Sequence, residues 1–295
     1  LIFLLRFCAV RGLEAPMWGD SYLHTMITQL IIDNNGLFDT WLPYAELQSF
    51  TYHFGFHSLA AVFHWVTGLP AHLAVLWTGQ LLNGLAVISL LPLVLRWQPS
   101  LWAGLIAMLL AGLLVPMPMY YTNWGRYTQL TGQVILPVAI FLIQDFLEST
   151  TKTRRLLILT WLILAGLALN HYRVLLFALC FFPAIFLFPS QAGKIRSTIL
   201  RSLQIGTGAL VLFLPWLVHS LGSKLASNYL ERITTLPSQA NDFLWQYNSL
   251  GDLSPFLPNP LWLLLVLAAG WGFWRNKRPI ALVVTWWGMI MLITN

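Results

Sequence analysis

The feature that most constrains this chain is a succession of long apolar runs joined by short polar connections. Ala71–Leu95, Leu101–Met119 and Thr128–Phe146 follow one another with few polar residues between them. Such runs approach the roughly 20 residues a helix needs to cross a bilayer. Charged residues make up only 9% of the chain, against roughly 25% in a soluble domain. A β-barrel would need alternating segments of about ten residues, and none is apparent. The expectation is an all-α, polytopic membrane protein forming one unit over residues 1–295.

The net charge of +6 gives no reason to expect a nucleic-acid partner. In a membrane protein the distribution of basic residues across the bilayer matters more. Cys8 and Cys180 both lie in apolar runs, which gives no disulfide framework. Leu1–Val10 is too short to span alone. The chain is therefore expected to be a fragment with a cut first span, and no signal-peptide cleavage site follows that run.

Sides follow from the basic clusters Lys152/Arg154/Arg155, Lys194/Arg196/Arg201 and Arg275/Lys277/Arg278. The positive-inside tendency places all three in the cytoplasm. Arg155–Leu169 and Val174–Phe188 then form a hairpin, with Asn170-His171-Tyr172-Arg173 at its outer tip. Leu203–Leu221 leads out and Leu261–Phe273 leads back, leaving Gly222–Pro260 as an external loop. Ala71–Leu95 ends at Arg96 inside, Leu101–Met119 returns outward, and Thr128–Phe146 goes in again. About nine spans result, the first of them truncated.

Phe50–Leu69 has the length of a span but a different pattern. His53, His57 and His64 fall within about 40° of one another on a helical wheel. Leu59, Val62, Phe63 and Val66 lie away from them. This is the pattern of a helix lying in the membrane interface. Residues 11–70 are therefore expected to form one large external loop with two surface helices. The other helix runs from about Ser21 to Asp33, with Leu23, Met26, Ile27, Leu30 and Ile31 as its apolar stripe and Asn34-Asn35-Gly36 as its stop. With these sides, Glu14, Asp20, Asp33, Asp39, Glu46, Glu231, Asp242 and Asp252 all fall outside.

Several residues could carry chemistry. Asp20 either caps the first surface helix or accepts a proton from an attacking hydroxyl. His24, one turn on, either orients that carboxylate and binds phosphate or marks the helix's polar edge. His53 and His57, four residues apart, either share a divalent metal ion, with Asp39, Glu46 or Asp20 as a third ligand, or sit in the interface as a polar face, and no motif such as H-E-x-x-H accompanies them. The loop Tyr120–Gln129 holds Asn123, Arg126, Tyr127 and Gln129. Its aromatic residues suit an interface belt, whereas Arg126 can grip a phosphate or carboxylate in two places. Between two arms of about fifteen apolar residues, His171 and Arg173 can sit in a cavity below the outer surface or reach water by snorkelling. Gly222–Pro260, with Tyr229, Glu231, Arg232, Trp245, Gln246 and Tyr247, suits a substrate cover or a loop lying on the bilayer. Asp20, Arg126 and His171–Arg173 all face one compartment. On that ground Asp20 is expected to serve a site.

Taken together, Gly19-Asp20-Ser21-Tyr22-Leu23-His24, the junction His64-Trp65-Val66-Thr67-Gly68-Leu69-Pro70, the hairpin tip His171-Tyr172-Arg173 and the late external loop resemble the GT-C superfamily of glycosyltransferases. That superfamily includes oligosaccharyltransferases, protein O-mannosyltransferases and aminoarabinose transferases. The resemblance implies an inverting glycosyltransferase using a polyprenyl-phosphate sugar donor and a glycan, lipid or protein acceptor. It implies a multi-pass protein of a prokaryotic plasma membrane with its site facing outside. Asp20 would act as base, Arg126 and Arg173 would hold phosphate, and His24, His53, His57 and His171 would line the site with Asn123, Tyr127 and Gln129. Metal-dependent members carry a second acidic motif after the third span. Here Thr122-Asn123-Trp124-Gly125-Arg126-Tyr127 has no carboxylate, so no metal ligand is assigned and Arg126 is expected to supply the positive charge. Two other classes stay open: a transporter or lipid-linked-sugar flippase, and a non-catalytic assembly subunit. Against the transporter, the hydropathy pattern does not repeat in two halves.

Overall fold

A computed structural model describes residues 1–149, 154–190, 195–222, 259–275 and 277–294. All regular structure among the described residues is helical. The elements are α1 (Ile2–Val10), α2 (Gly19–Asp33), α3 (Gly55–Thr67), α4 (Ala71–Ile88), α5 (Leu90–Trp97) and α6 (Leu101–Leu109), which runs into a π-helical turn over Leu110–Leu114. The chain continues with α7 (Tyr121–Trp124), α8 (Tyr127–Glu148), α9 (Arg154–Asn170), α10 (Tyr172–Leu179), α11 (Phe181–Leu187), α12 (Ile195–Gly222), α13 (Asn259–Trp274) and α14 (Arg278–Thr294).

Three stretches are long and apolar enough to cross a membrane: Ala71–Trp97, Tyr127–Glu148 and Ile195–Gly222. The apolar helices Leu101–Leu114, Tyr172–Leu187 and Arg278–Leu292 are shorter. Only 11% of the apolar window of α12 is buried by protein. Its outward face carries Leu203, Leu210, Val211, Leu214 and Val218. A water-soluble surface rarely tolerates an apolar strip of that extent.

Prolines and local caps explain where expected spans break. Ala71–Leu95 divides at Ser89, whose hydroxyl donates back to the Ala86 carbonyl at 3.0 Å. Leu101–Met119 stops as a helix at Leu114, because Pro116 and Pro118 have no N–H to continue the ladder. Val174–Phe188 is two helices meeting at Cys180, with Pro183 in the first turn of the second. The external loop expected over Gly222–Pro260 lies almost wholly outside the described residues, as do Lys152 and Lys194.

The main core packs α8 against α9, α10, α11 and α12 around Ile140, Ile143, Leu167, Phe181 and Ile205. Helix α8 has 22 residues, so it is about 33 Å long. At its C-terminal end Arg96 pairs with Asp145 at 2.8 Å and Glu148 at 3.1 Å. Arg278 joins Glu148 at 2.6 Å. The Arg201 guanidinium donates to the carbonyls of Phe146 and Leu147 at 3.0 and 3.2 Å and also to Ser149. Members of two separate basic clusters therefore converge with Arg96 on one end of α8. Helix α12 leaves Arg201 there and arrives at His219, which bonds the Phe50 carbonyl at the other end. The two polar ends are thus separated by about the thickness of a hydrocarbon core.

Candidate active site

The end of the bundle away from that basic network is built by α2, α3, the turn before α8, and the tip between α9 and α10. Helix α2 buries Ile27, Leu30 and Ile31 beneath the chain that follows it, where Phe38, Trp41 and Phe50 complete a small core. Asn34 and Asn35 end it, with Asn35 at a positive φ of 51°. The stripe expected on α2 is therefore the packed face. Its start differs from expectation. The helix begins at Gly19 after Trp18, and no side chain caps it. The Ser21 hydroxyl donates to the Met17 carbonyl. Asp20 sits in the first helical turn, and its carboxylate lies 3.5 Å from Nε of Arg126. The cap reading of Asp20 and Ser21 is thereby replaced by an ion pair across 106 residues of chain, formed where the outer polar groups meet.

Arg126 is held by a turn that needs glycine. Gly125 has φ +64°, a conformation natural to glycine and costly for other residues. A Cβ there would lie 3.0 Å from both the Met17 carbonyl and the Ser21 amide and would strike the Ser21 hydroxyl. The guanidinium lies over the Trp124 ring, 4.6 Å from its centroid. Gly125→Ala is expected to lower stability by about 1–2 kcal/mol from the left-handed backbone alone. Push-back of α2 would also part Arg126 from Asp20. A thermal unfolding midpoint equal to that of the wild type would refute this account of the turn.

His24 ties the parts together. It bonds His57 across 2.9 Å between Nδ1 and Nε2 and also bonds the Gly125 backbone. Phe56 lies against it edge-on, and Tyr127 stacks on Phe56 at 5.2 Å. Burial, then the neighbouring His171 and the Arg126 guanidinium, lower its pKa to about 4. His57 is fully buried and held neutral for the same primary reason. This corrects the interfacial reading of the histidines. Helix α3 starts at Gly55, so His53 precedes it rather than sharing its face. His53 and His57 point into protein, while Leu59, Val62, Trp65 and Val66 are exposed. His64 stands apart from them, its Nδ1 meeting the Leu69 carbonyl at 2.6 Å just beyond the helix end.

The hairpin tip reaches the same place. The His171 ring is 4.9 Å from that of His53, and Tyr172 is 5.4 Å from it. Burial, then Arg173 and Arg126, lower the pKa of His171 to about 4. Tyr121 is pushed up to about 12 by burial, while Arg126 and Arg173 both act to lower it. Arg173 is itself exposed. Asp20, Arg126, His24, His53, His57, His171 and Arg173 thus gather at one end. Tyr127 is buried beside them, Gln129 is half-buried on α8, and Asn123 is exposed on α7. Neither Asn123 nor Gln129 makes a hydrogen bond, ion pair or ring contact with the described residues of that group.

Sequence reasoning passed over the framework behind the turn. Arg6 is buried, donating to Asn83 Oδ1 at 2.8 Å and to the Gly112 carbonyl in the π-helical turn at 2.7 Å. Asn83 donates to the Pro118 carbonyl at 3.0 Å and to Thr122 Oγ1 at 3.1 Å, and Gln80 also bonds Thr122. These bonds fix the strap leading to Arg126. The available signal was polar side chains within apolar runs, with Gln80 and Asn83 three residues apart on one helix face.

Among the described residues, no group of three or more His, Cys, Asp or Glu is arranged to hold a metal ion. His24 and His57 spend their facing nitrogens on each other, and Asp20 faces a guanidinium.

A cavity of about 410 Å³ adjoins the group on the far side of the segment Phe50–Phe54. Phe38, Phe50, Phe54, Leu212 and Trp216 line it, with Asp39 and His219 as polar members.

All of residues 1–295 match a family described as of unknown function, DUF6541. The chain belongs to that family. No curated protein and no solved structure matches it. For this member of DUF6541, function has to be read from the site itself.

Proposed function

We propose that this protein is a membrane glycosyltransferase of GT-C type that takes a sugar from a polyprenyl-phosphate donor. The observation that carries the proposal is the Asp20–Arg126 pair at 3.5 Å, beside His24 and electrostatically linked to Arg173 through His171. A base and two guanidinium groups are what displacement of a phosphate requires. The acceptor hydroxyl gives its proton to Asp20 as its oxygen bonds to the anomeric carbon. The bond from that carbon to the phosphate oxygen breaks, and its electron pair leaves with the polyprenyl phosphate. Arg126 and Arg173 offset the charge that develops there. Attack opposite the leaving group inverts the anomeric centre.

The Asp20 side chain is 49% exposed. A pair that open contributes about 1 kcal/mol or less, so an arriving phosphate can draw Arg126 away and free the carboxylate. The adjoining apolar cavity suits the first isoprene units of such a donor. In this reading the helices form about nine crossings, α2 and α3 lie at the outer surface of a prokaryotic plasma membrane, and the Arg96–Glu148–Arg278 network lies at the cytoplasmic side.

The test is purified protein in lipid nanodiscs or vesicles with radiolabelled decaprenyl-phosphate sugars. Label is expected to pass to a glycan, lipid or protein acceptor with release of decaprenyl phosphate. Movement of the labelled lipid across vesicles without transfer would overturn the proposal in favour of a flippase.

A further inference from the structure

Beneath the Asp20–Arg126 pair lies a group of buried polar atoms with no hydrogen-bond partner in this structure. They are Nε2 of His53, Oδ1 of Asn170 and Nδ1 of His171. His53 is 7% exposed and Asn170 is 8% exposed. They form one patch: the His53 and His171 rings are neighbours at 4.9 Å. The Asn170 amide packs directly on Gly55, so that a Cβ there would collide with it. The other end of that amide is fixed, since Nδ2 donates to the Gly166 carbonyl at 2.7 Å. Leaving such atoms unpaired is costly, and three together in one place point to a ligand that pairs them.

The chemistry of the patch narrows that ligand. Asn170 offers an acceptor, and each neutral imidazole nitrogen is a donor or an acceptor according to tautomer. Hydroxyl groups are both, so several hydroxyls on one ring match such a patch whichever tautomers are present. Tyr52 and Tyr172 flank it with aromatic surface, Tyr52 lying 3.8 Å from the His53 ring. Charged ligands fit poorly. Its histidines are neutral, and an anionic group would have no buried cation to meet. A cationic group would have only Asp20 at the rim. Burying an unpaired charge is far more costly than burying a hydroxyl. His53 lies in the segment Phe50–Phe54, which has no regular structure, and these polar atoms gain partners only when something polar enters.

We infer that His53, Asn170 and His171 form the floor of a pocket for an uncharged sugar, whose hydroxyls they bind while Arg126 and Arg173 hold the phosphate. This deepens the glycosyltransferase reading and rests on it.

The experiment measures equilibrium binding to the full chain in nanodiscs at pH 7.5. The ligands are decaprenyl phosphate and its glucosyl, glucuronosyl and aminoarabinosyl derivatives. The glucosyl lipid is expected to bind about tenfold tighter than bare decaprenyl phosphate, the worth of one or two net hydrogen bonds. The charged sugars should gain nothing over the bare lipid. In His53→Ala, and separately in Asn170→Ala, the ratio of glucosyl to bare affinity should fall towards one. Equal binding of bare and glucosyl lipid by the wild type would overturn the pocket, as would preference for either charged sugar. Failure to bind any of the four lipids would instead overturn the polyprenyl-phosphate reading itself, and the pocket with it. The comparison among ligands needs no variant, so a variant that fails to fold does not block it.

Discussion

Asp20→Asn is expected to lower sugar transfer by a factor of about 10²–10⁴, the range a positioned general base contributes. The substitution keeps the size and hydrogen-bonding capacity of the side chain but cannot take up the acceptor's proton. It also removes the charge that pairs with Arg126 at 3.5 Å. Because that pair is half open to solvent, the stability cost should stay below about 1 kcal/mol. The two readings of Asp20 therefore separate cleanly. A capping role would predict little change of any kind, since Asn caps a helix as well as Asp. The structure also has no side-chain cap at the start of α2. Initial rates of label transfer, with an unfolding midpoint measured on the same preparation, decide the matter. A folded Asp20→Asn protein with undiminished transfer would remove Asp20 from the mechanism.

Acid is expected to destabilise the protein in a defined window. Burial is the first cause that lowers His24 and His171 to a pKa of about 4, from an ordinary value near 6.5. His53 is lowered further, to about 2. The sign follows from proton counting. Below pH 6.5 the unfolded chain binds protons that the folded chain refuses, so stability is full above that pH and declines as pH falls. For His24 and His171 the decline continues to about pH 4, where the folded forms also protonate. Each histidine contributes a slope of up to about 1.4 kcal/mol per pH unit. Two of them give up to about 3 kcal/mol per unit, before any share from His53. The unfolding midpoint in detergent should therefore fall by several degrees between pH 7 and pH 5. A midpoint flat across that interval would show that these histidines are hydrated or already charged in the folded protein.

His24, His53 and His57 at this end are enclosed by protein, and that enclosure makes added charge there expensive. The Arg6–Asn83–Thr122 bonds belong to the same design: a buried cation satisfied by amide and carbonyl oxygens holds the strap that presents Arg126.

Much of this was legible in the residues alone. Run length and low charge determined an all-helical chain. The stripe of α2 and its stop at Asn34–Asn35 followed from local pattern. The basic clusters anticipated the end where Arg96, Arg201 and Arg278 gather, because like clusters recur at every second apolar run. Counting crossings led to the expectation that Asp20, Arg126 and His171 share one side, and they lie at one end of the bundle. These properties are local or additive along the chain, and sequence determines them.

What the tertiary structure decided is which way faces turn and which distant groups meet. Periodicity showed that His57 and Val66 lie on different faces of one helix, but not which face is buried. The face that packs inward carries Phe56, His57, Ala60 and Ala61, while Leu59, Val62, Trp65 and Val66 face out. Only packing places His57 in the interior with Val66 exposed. The same holds for Arg6, whose partners Asn83 and Gly112 lie 77 and 106 residues away. Asp20 is the sharpest case. A carboxylate near a helix start satisfies the local backbone equally well as a cap. It forms an ion pair instead because Gly125, through its left-handed turn, brings Arg126 against α2.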